Sequence, residues 1–275
     1  MLDNTHLKYM KNFKPNLVSC VIPSYKWADH IIECIESVLN QDYNLKEIIV
    51  IIQKFPWDFT FEICSAHYGH MKNIFLYQYD YSMFPSKARN LWIQFSQWEY
   101  ICILDDDDVL LNRDIFTLSV KYLKSDLKCW LTSPNSIFLF RGEYSLSNTT
   151  FSMRLNHFNF SHSWSIFRQS IWELVGFYNE NYRVYEDLDF FLRICGSYNI
   201  INISGSILKR IDPCSISFTS SSFGELFCWI KVTAPYIFKY PGFLIWLCKK
   251  LLKIFIPRKI QILILLNVIF PMRHY

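Results

Sequence analysis

The hydrophobic pattern of the first hundred residues contains short apolar runs of the kind that form buried strands. Leu17–Ile22 is such a run and stops at Pro23, and Glu47–Ile52 and Tyr100–Leu104 are two more. Ile74–Tyr77 is a weaker one. Continuous apolar runs of four to eight residues, rich in β-branched side chains, are typical of strands covered on both faces. The pattern therefore predicts four strands in this part of the chain.

Helical spacing appears between these runs. Apolar residues from Ile31 to Leu39 recur at intervals of three and four, and a similar series begins near Ser86. A later helix is predicted to open at Glu186 and Asp187, whereas residues 140–165 are polar, show little periodicity and read as loops. Strands that alternate with helices pair in parallel through right-handed crossovers. We therefore predict an α/β fold, a mostly parallel sheet with helices on both faces, whose ligands bind beyond the carboxyl ends of the strands.

Composition limits the classes of protein. The chain has 275 residues, enough for one large domain or one domain with an appendage, and 51% hydrophobic content excludes a disordered chain. A net charge of +4 does not indicate a nucleic-acid partner, and we expect none. The nine cysteines include no C-x-x-C pair. The first residues contain no apolar run of the kind found in a signal peptide. We expect buried, reduced cysteines and a cytoplasmic protein.

The C-terminal segment differs in charge from the rest. Residues 224–275 contain eight basic residues and one acid, so this segment carries +7 and residues 1–223 carry −3. Its longest uncharged stretch, Ile260–Met272, is shorter than the ~20 residues that a membrane-spanning helix needs. We therefore divide the chain into a catalytic domain, 1–223, and a basic amphipathic helical tail, 224–275, that attaches peripherally to the cytoplasmic face of a membrane. The alternative is a pair of helices that packs on the domain or on a second copy.

Four consecutive aspartates, Asp105 to Asp108, follow the predicted strand Tyr100–Leu104. Like charges this close repel, and a divalent cation with oxygen ligands would neutralise them. In extended backbone, Asp105 and Asp107 would share one face and Asp106 would lie on the other. The alternative is a solvated acidic turn, or a helix N-cap, without a ligand.

Glu186 and Asp187 allow two interpretations as well. Carboxylates are stable at the positive end of a helix, so capping alone would explain them. In a functional interpretation, one is a general base and the other orients it or touches the acceptor.

Three segments resemble family 2 glycosyltransferases of the GT-A type. They are VSCVIPSYKWADHIIECIESVLNQDY (18–43), SKARNLWIQFSQWEYICILDDDDVL (86–110) and GFYNENYRVYEDLDFFLRI (176–194), in the order and at the spacing of that family. The resemblance implies a Rossmann-like GT-A fold. It also implies inverting transfer of a sugar from a nucleotide-sugar donor, with UDP the expected nucleotide, to a hydroxyl of a glycan or lipid-linked acceptor. Surface polysaccharide biosynthesis is the expected context.

The resemblance also assigns roles to residues. Asp187 would be the base, with Glu186 beside it; Asp107 and Asp105 would hold Mn²⁺ or Mg²⁺. Nucleotide-binding residues would be Pro23, Ser24, Tyr25, Gln53, Arg89, Asp105 and Asp106, with Arg89 near the diphosphate. The sequence departs from the family's pattern in three places. Ile52 and Gln53 stand where an acidic pair is usual and an Asp reads the base, Pro85 stands where glycine is common, and Asp212 replaces a histidine in the late R-x-H-P-G-S motif.

Two other classes of protein remain open. A catalytically silent scaffold could keep the nucleotide-sugar fold and dock at the membrane. A sugar-nucleotide nucleotidyltransferase would also be α/β with bound Mg²⁺, but it needs a Gly-rich loop after the first strand, where the sequence reads PSYKWADH.

Overall fold

The computed structural model describes most of the first 236 residues. The described ranges are 14–25, 28–79, 85–95, 98–126, 129–140, 143–147, 151–152, 157–158, 163–182, 184–194, 199–210 and 223–236. The strands are β1 (Lys14–Tyr25), β2 (Lys46–Gln53), β3 (Ile74–Tyr79), β4 (Trp98–Ile103), β5 (Val109–Leu110), β6 (Cys129–Phe140), β7 (Glu143–Ser147), β8 (Phe151–Ser152), β9 (His157–Phe158), β10 (Ile166–Arg168) and β11 (Asn199–Arg210). The helices are α1 (Ala28–Leu39), α2 (Thr60–Tyr68), α3 (Pro85–Phe95), α4 (Ile115–Ser125), α5 (Ser170–Val175), α6 (Glu186–Ile194) and α7 (Phe223–Thr233), followed by a short 3₁₀ turn, Ala234–Tyr236.

One sheet of nine described strands organises the fold. Its order is β3-β2-β1-β4-β10-β6-β11-β5, with β7 beside β6, and β8 and β9 form a separate pair. The strands β1 to β4 are parallel to one another, as the sequence predicts. The second half is mixed, because β10 runs antiparallel to both β4 and β6 while β11 runs parallel to β6. The α/β fold with a mostly parallel sheet is confirmed: β1, β2, β3, β4, β6 and β11 run in one direction, and the described antiparallel pairs make the sheet mixed.

Helices cover both faces of the sheet and create two apolar layers. One layer packs β1 and β2 against α1, α2 and α4, through residues such as Ile35 and Phe116. The other packs the same strands against α3, α5 and α6, through residues such as Trp92 and Phe190. Burial on both faces explains why these strands read as continuous apolar runs. Five of the cysteines are buried in the described core without a disulfide, as predicted: Cys20, Cys34, Cys64, Cys102 and Cys129.

Strand β1 continues past Pro23, where the sequence suggested an end. Beyond Val21, the register partners of β1 among the described strands all lie in β2, where Tyr25 lies opposite Gln53. A proline can occupy this stretch because its missing N–H falls where one side of the strand has no ladder to lose. The longer strand carries Ser24 and Tyr25 to the edge where the site lies.

The sequence interpretation of residues 140–165 as loops is partly wrong, because β7, β8 and β9 lie there. The predicted domain boundary after residue 223 falls at the first residue of α7. The Cys228 thiol of this helix donates to the Val184 carbonyl at 3.3 Å. The first turns of the predicted tail therefore contact the region just before α6. Residues 237–275, where most of the predicted membrane-associating tail falls, lie outside the described residues. In the part of the chain that is described, no helix is long and apolar enough to cross a bilayer.

Candidate active site

The carboxyl ends of the parallel strands bring the predicted site residues to one edge of the sheet. β1 ends at Tyr25 and β2 at Gln53, which are register partners, and Asp105 follows the end of β4. β11 runs in the same direction as these strands and ends there with Lys209 and Arg210. Topology therefore adds two cations to the acids that the sequence identifies.

The aspartates form a tight turn. The backbone N–H of Asp108 donates to the carbonyl of Asp105 at 3.1 Å. The Ser163 hydroxyl accepts from the N–H of Asp105 at 2.8 Å and donates to Oδ2 of Asp108 at 2.7 Å. A turn therefore replaces the extended backbone that the expected alternation assumed, while Asp105 and Asp107 still form the more exposed pair and Asp106 and Asp108 the buried pair. Ser163 is a residue of the site that sequence patterns do not identify.

Burial distinguishes the four carboxyl groups. Asp108 is fully buried and Asp106 is 9% exposed, while Asp105 and Asp107 are half-buried. Desolvation raises the pKa of Asp106 to about 7 and also raises the pKa values of Asp107 and Asp108. For Asp107 and Asp108, the positive charge of Lys209 opposes this rise in pKa. The turn therefore depends on nearby cations to keep its acids ionised.

Arg89 connects the aspartate turn to the start of α6. Its guanidinium is buried and donates from Nη1 to Oε1 of Glu186 at 2.7 Å, while Nη2 lies 3.5 Å from Oδ1 of Asp105. The neighbouring acids raise the pKa of Arg89 despite its desolvation. The second and third sequence segments thus meet through one side chain.

Lys209 is the second cation of the turn. Its Nζ lies 3.8 Å from Oδ2 of both Asp105 and Asp108, and 4.9 Å from the centre of the Trp164 ring. Burial would lower the pKa of this lysine, but the surrounding aspartates raise it. Sequence analysis missed Lys209. Its position could have identified it as a candidate, because Lys209 directly precedes Arg210, where the late family motif begins.

Arg210 holds the turn from its backbone side. Its Nη1 donates to the carbonyl of Asp107 at 2.6 Å, and its Nη2 pairs with the Glu33 carboxylate of α1. Asp212, two residues further on, lies outside the described residues.

Glu186 and Asp187 open α6 as predicted and differ in their surroundings. Glu186 is 8% exposed; its pKa is raised by burial and by Asp187, and Arg89 opposes the rise. Asp187 is half-buried, and its Oδ1 accepts from the backbone N–H of Leu188 at 2.7 Å. The arrangement places the more accessible carboxylate beside a buried one that an arginine fixes.

Two other residues of the family-like segments have structural roles. The Asn90 amide donates to the Tyr178 carbonyl at 2.8 Å and accepts from its N–H at 2.9 Å, which fixes α3 against the loop after α5. The Arg193 guanidinium, on α6, donates to the carbonyls of Gly176 and Phe177 at 2.9 and 2.8 Å. These contacts fix the loop after α5 against α3 and against the last turn of α6.

The expected nucleotide-binding residues lie together at the ends of β1 and β2. Ser24 and Gln53 are buried, Pro23 is partly buried, and Tyr25 is 39% exposed. The Tyr25 ring meets Phe55 edge-on, with ring centres 5.7 Å apart. An exposed aromatic ring beside a buried amide can stack on a planar base and hydrogen-bond its edge.

The turn has the chemistry of a hard-cation site. Oδ2 of Asp106 and Oδ1 of Asp108 are buried acceptors without a hydrogen-bond partner in the described part of the chain. Carboxylate oxygens are the ligands that Mg²⁺ and Mn²⁺ prefer, and Mg²⁺ sites use one or two carboxylates together with substrate phosphates. No cluster of three or more candidate metal ligands is found among the described residues.

The chain matches a known family and several solved structures. The model of Glycosyl transferase family 2 matches residues 19–177. The crystal structure of S. aureus TarS 1-349 in complex with UDP superposes with a TM-score of 0.61 at 15% identity, covering 80% of this chain and 65% of that chain. Mannosyltransferase PcManGT from Pyrobaculum calidifontis, in complex with GDP-Man and Mn²⁺, has a TM-score of 0.59 at 15% identity and covers 85% and 70%. These similarities confirm the GT-A-like fold.

Sequence relatives lead to the same family. A chondroitin synthase of Escherichia coli is 28% identical over 200 residues, 68% of this chain and 28% of that protein. The glycosyltransferase GlyG of Streptococcus pneumoniae serotype 4 is 30% identical over 110 residues, 40% of this chain and 36% of its own. The matches thus span only 28% and 36% of these two relatives. Because the family match covers more than half of the chain, the protein belongs to Glycosyl transferase family 2.

Proposed function

We propose that the protein is a metal-dependent, inverting glycosyltransferase. It would transfer a sugar from a UDP-sugar to a hydroxyl of a glycan or lipid-linked acceptor during synthesis of a surface polysaccharide. The observation that carries the proposal is the Arg89 bridge, because it holds the aspartate turn close to Glu186 and Asp187. Sugar transfer needs the aspartate turn beside the diphosphate of the donor and the carboxylates of α6 beside the acceptor hydroxyl, so these two groups of residues must lie close together.

The donor would lie across the carboxyl ends of β1, β2 and β4. Tyr25 and Gln53 would contact the base, Pro23 and Ser24 would line the loop beside it, and Asp106 would accept a hydrogen bond from the ribose. A pyrimidine base suits the amide of Gln53, and the TarS structure contains UDP. Its context is supported by relatives that include chondroitin synthases and a putative teichuronic acid biosynthesis glycosyltransferase, TuaG, of Bacillus subtilis.

Asp107 and Asp105 would hold the cation, Mn²⁺ or Mg²⁺. PcManGT was solved with Mn²⁺, which supports the choice of metal. When bound, the cation would supply positive charge opposite the leaving diphosphate. Lys209 and Arg89 add two fixed positive charges on the protein side, so we assign them to neutralising the aspartates around the diphosphate.

Asp187 would act as the general base. As the acceptor oxygen attacks the anomeric carbon, its proton passes to the Asp187 carboxylate, and the bond to the diphosphate breaks with its electron pair leaving on the diphosphate oxygen. A single displacement of this kind inverts the anomeric carbon. Glu186, fixed by Arg89, would keep Asp187 in position.

A donor hydrolysis assay tests the proposal. Purified full-length protein is incubated with UDP- and GDP-sugars and Mn²⁺, and release of nucleoside diphosphate is measured. We expect Asp107→Asn and Asp187→Asn to lower turnover by at least about a hundredfold, while Glu62→Gln, an exposed acid on α2, leaves it unchanged. Absence of metal-dependent turnover with every donor would favour the scaffold. A parallel reaction supplies UTP or GTP with a sugar 1-phosphate, and release of pyrophosphate from that mixture would favour a nucleotidyltransferase.

Membrane attachment through the tail needs its own test. Removal of residues 237–275 keeps α7, and we expect the shortened protein to stop sedimenting with vesicles that contain anionic lipid. If it still sediments with them, the tail is not the membrane anchor and the alternative of a packed helical pair gains support.

A further inference from the structure

A second pocket lies at the opposite end of the sheet from the aspartate turn. It has a volume of about 550 Å³ and lies where the first residues of β1, β2 and β4 meet β3, beside Trp92 of α3. We call it the amino-end pocket and define it by Lys14, Glu47, Lys72, Phe75, Tyr77 and Trp98. None of these residues has a role in the proposed transfer reaction.

The amino-end pocket is too far from the donor site to be part of it. Glu47 and Gln53 are six residues apart on β2, which at about 3.3 Å per residue places them about 20 Å apart. A ligand in this pocket is therefore separate from the nucleotide.

Glu47 provides a buried acceptor at the base of the pocket. It is 5% exposed, and its Oε1 accepts from the Ser19 hydroxyl at 2.6 Å. Desolvation raises its pKa to about 7, and Ser19 and Lys14 oppose the rise. Ser19 and Lys14 compensate this buried carboxyl group within the fold, and its place in the pocket lining allows it to accept a further hydrogen bond from a ligand.

The walls combine aromatic faces with positive charge. Phe75 and Tyr77, successive residues on one face of the edge strand β3, are 39% and 41% exposed. Tyr77 lies against Trp92, with ring centres 4.2 Å apart, so its ring is held in place. Lys14 lies over the Trp98 ring at 5.0 Å, and Lys72 is exposed at the rim.

These features select a class of ligand. Aromatic faces pack on the apolar faces of sugar rings, and the Glu47 carboxylate together with the amides of Asn44 and Asn73 can bind hydroxyl groups. Lys14 and Lys72 against the single carboxylate of Glu47 favour an anionic ligand and disfavour a cationic one, whereas the ammonium of Lys46 donates to the carbonyls of Gln41 and Tyr43. We propose that the amino-end pocket binds an acidic glycan, and that the growing acceptor chain is its source. The second part rests on the proposed function.

Affinity measurements on the full-length protein test the pocket. Titration calorimetry uses a hyaluronan octasaccharide as the acidic glycan, a maltooligosaccharide of equal length as the neutral one, and inorganic phosphate as the bare anion. We expect Tyr77→Ala to weaken binding of the acidic octasaccharide about tenfold, and Lys72→Ala to weaken it several-fold. Tyr122→Ala and Lys121→Ala, at exposed positions on α4, serve as matched controls and should leave binding unchanged.

The outcomes separate this proposal from the proposed function. The proposal that the amino-end pocket binds a glycan would be overturned if neither glycan binds, or if the α4 control substitutions weaken binding as much as the pocket substitutions do. Equal binding of the neutral oligosaccharide with no effect of Lys72→Ala, or binding of phosphate alone, would overturn the acidic-glycan assignment. Donor hydrolysis is measured on the same variants and should not change. An inactive wild type that still binds the octasaccharide would refute the transferase proposal and retain the pocket. Should Tyr77→Ala fail to fold, Phe75→Ser and Lys72→Ala give the same test.

Discussion

Replacing Arg89 with methionine tests the central contact of the site. Nη1 and Oε1 of Glu186 are 2.7 Å apart, and each side chain is 10% exposed. At an effective dielectric constant of about 20, charges at this distance attract by about 6 kcal/mol, and desolvation of both groups cancels much of this. Removing one partner leaves the other charge buried and uncompensated, which costs about 3–5 kcal/mol. We expect Arg89→Met to lower the free energy of unfolding by that amount at pH 8.

The double variant identifies the cause of this loss. Glu186→Gln alone should cost about 1–2 kcal/mol, because Arg89 keeps a hydrogen bond and the nearby Asp105. Adding Glu186→Gln to Arg89→Met removes the uncompensated charge, so the double variant should be more stable than Arg89→Met alone.

The pH dependence has a definite sign. Without Arg89, the folded-state pKa of Glu186 rises further above its value in the unfolded chain, so the folded state binds this proton more tightly. The loss in Arg89→Met should therefore be small near pH 5 and grow as the pH rises. Urea unfolding followed by tryptophan fluorescence measures all variants, with Lys121→Met on α4 as a control expected to lie within about 0.5 kcal/mol of wild type. A loss below about 1 kcal/mol for Arg89→Met, or strictly additive effects in the double variant, would refute the reasoning.

Three further predictions concern stability. Ser163→Ala removes the hydroxyl that contacts both ends of the aspartate turn, and urea unfolding should show a loss of about 1–3 kcal/mol; no loss would mean that the turn closes without it. Asn90→Ala breaks the contacts with Tyr178 and should cost about 1–3 kcal/mol by the same measurement, and Asn90→Asp, which sets a carboxylate oxygen against the Tyr178 carbonyl and the Glu180 carboxylate, should cost at least as much. Glu47 has a pKa of about 7, above its unfolded value, so its contribution to stability is lost as the pH rises from about 4.5 to 7. Glu47→Gln should therefore reduce the fall in the free energy of unfolding over this pH range by about 3 kcal/mol. If the unfolding midpoint of the variant has the same pH profile as wild type, Glu47 is not the group responsible.

The sequence by itself determined the first half of the sheet and the acids of the site. Strands β1, β2 and β4 are buried on both faces. Such strands have continuous apolar sequences, so they can be predicted without knowing which strands lie beside them. The acids of the site can also be identified from the sequence. Aspartates 105 to 108 directly follow a predicted strand, and Glu186 and Asp187 open a predicted helix. Their grouping at one edge follows from parallel pairing alone.

Only the tertiary structure decided how the acids are compensated. The three groups that do this, Arg89, Ser163 and Lys209, reach the turn from α3, from the residues before β10 and from β11. Nothing in their local sequence specifies these partners, since hydrogen bonds and ion pairs form between segments that the sheet order brings together. The strands β6, β10 and β11 that complete the sheet are mixed in direction, and β6 buries polar residues such as Thr132 and Ser133 beside apolar ones, so the sequence of β6 does not form a continuous apolar run. The periodicity of a segment depends on which of its faces are buried, so the sequence shows it directly. Charge compensation depends on distances between segments, which only the tertiary structure sets.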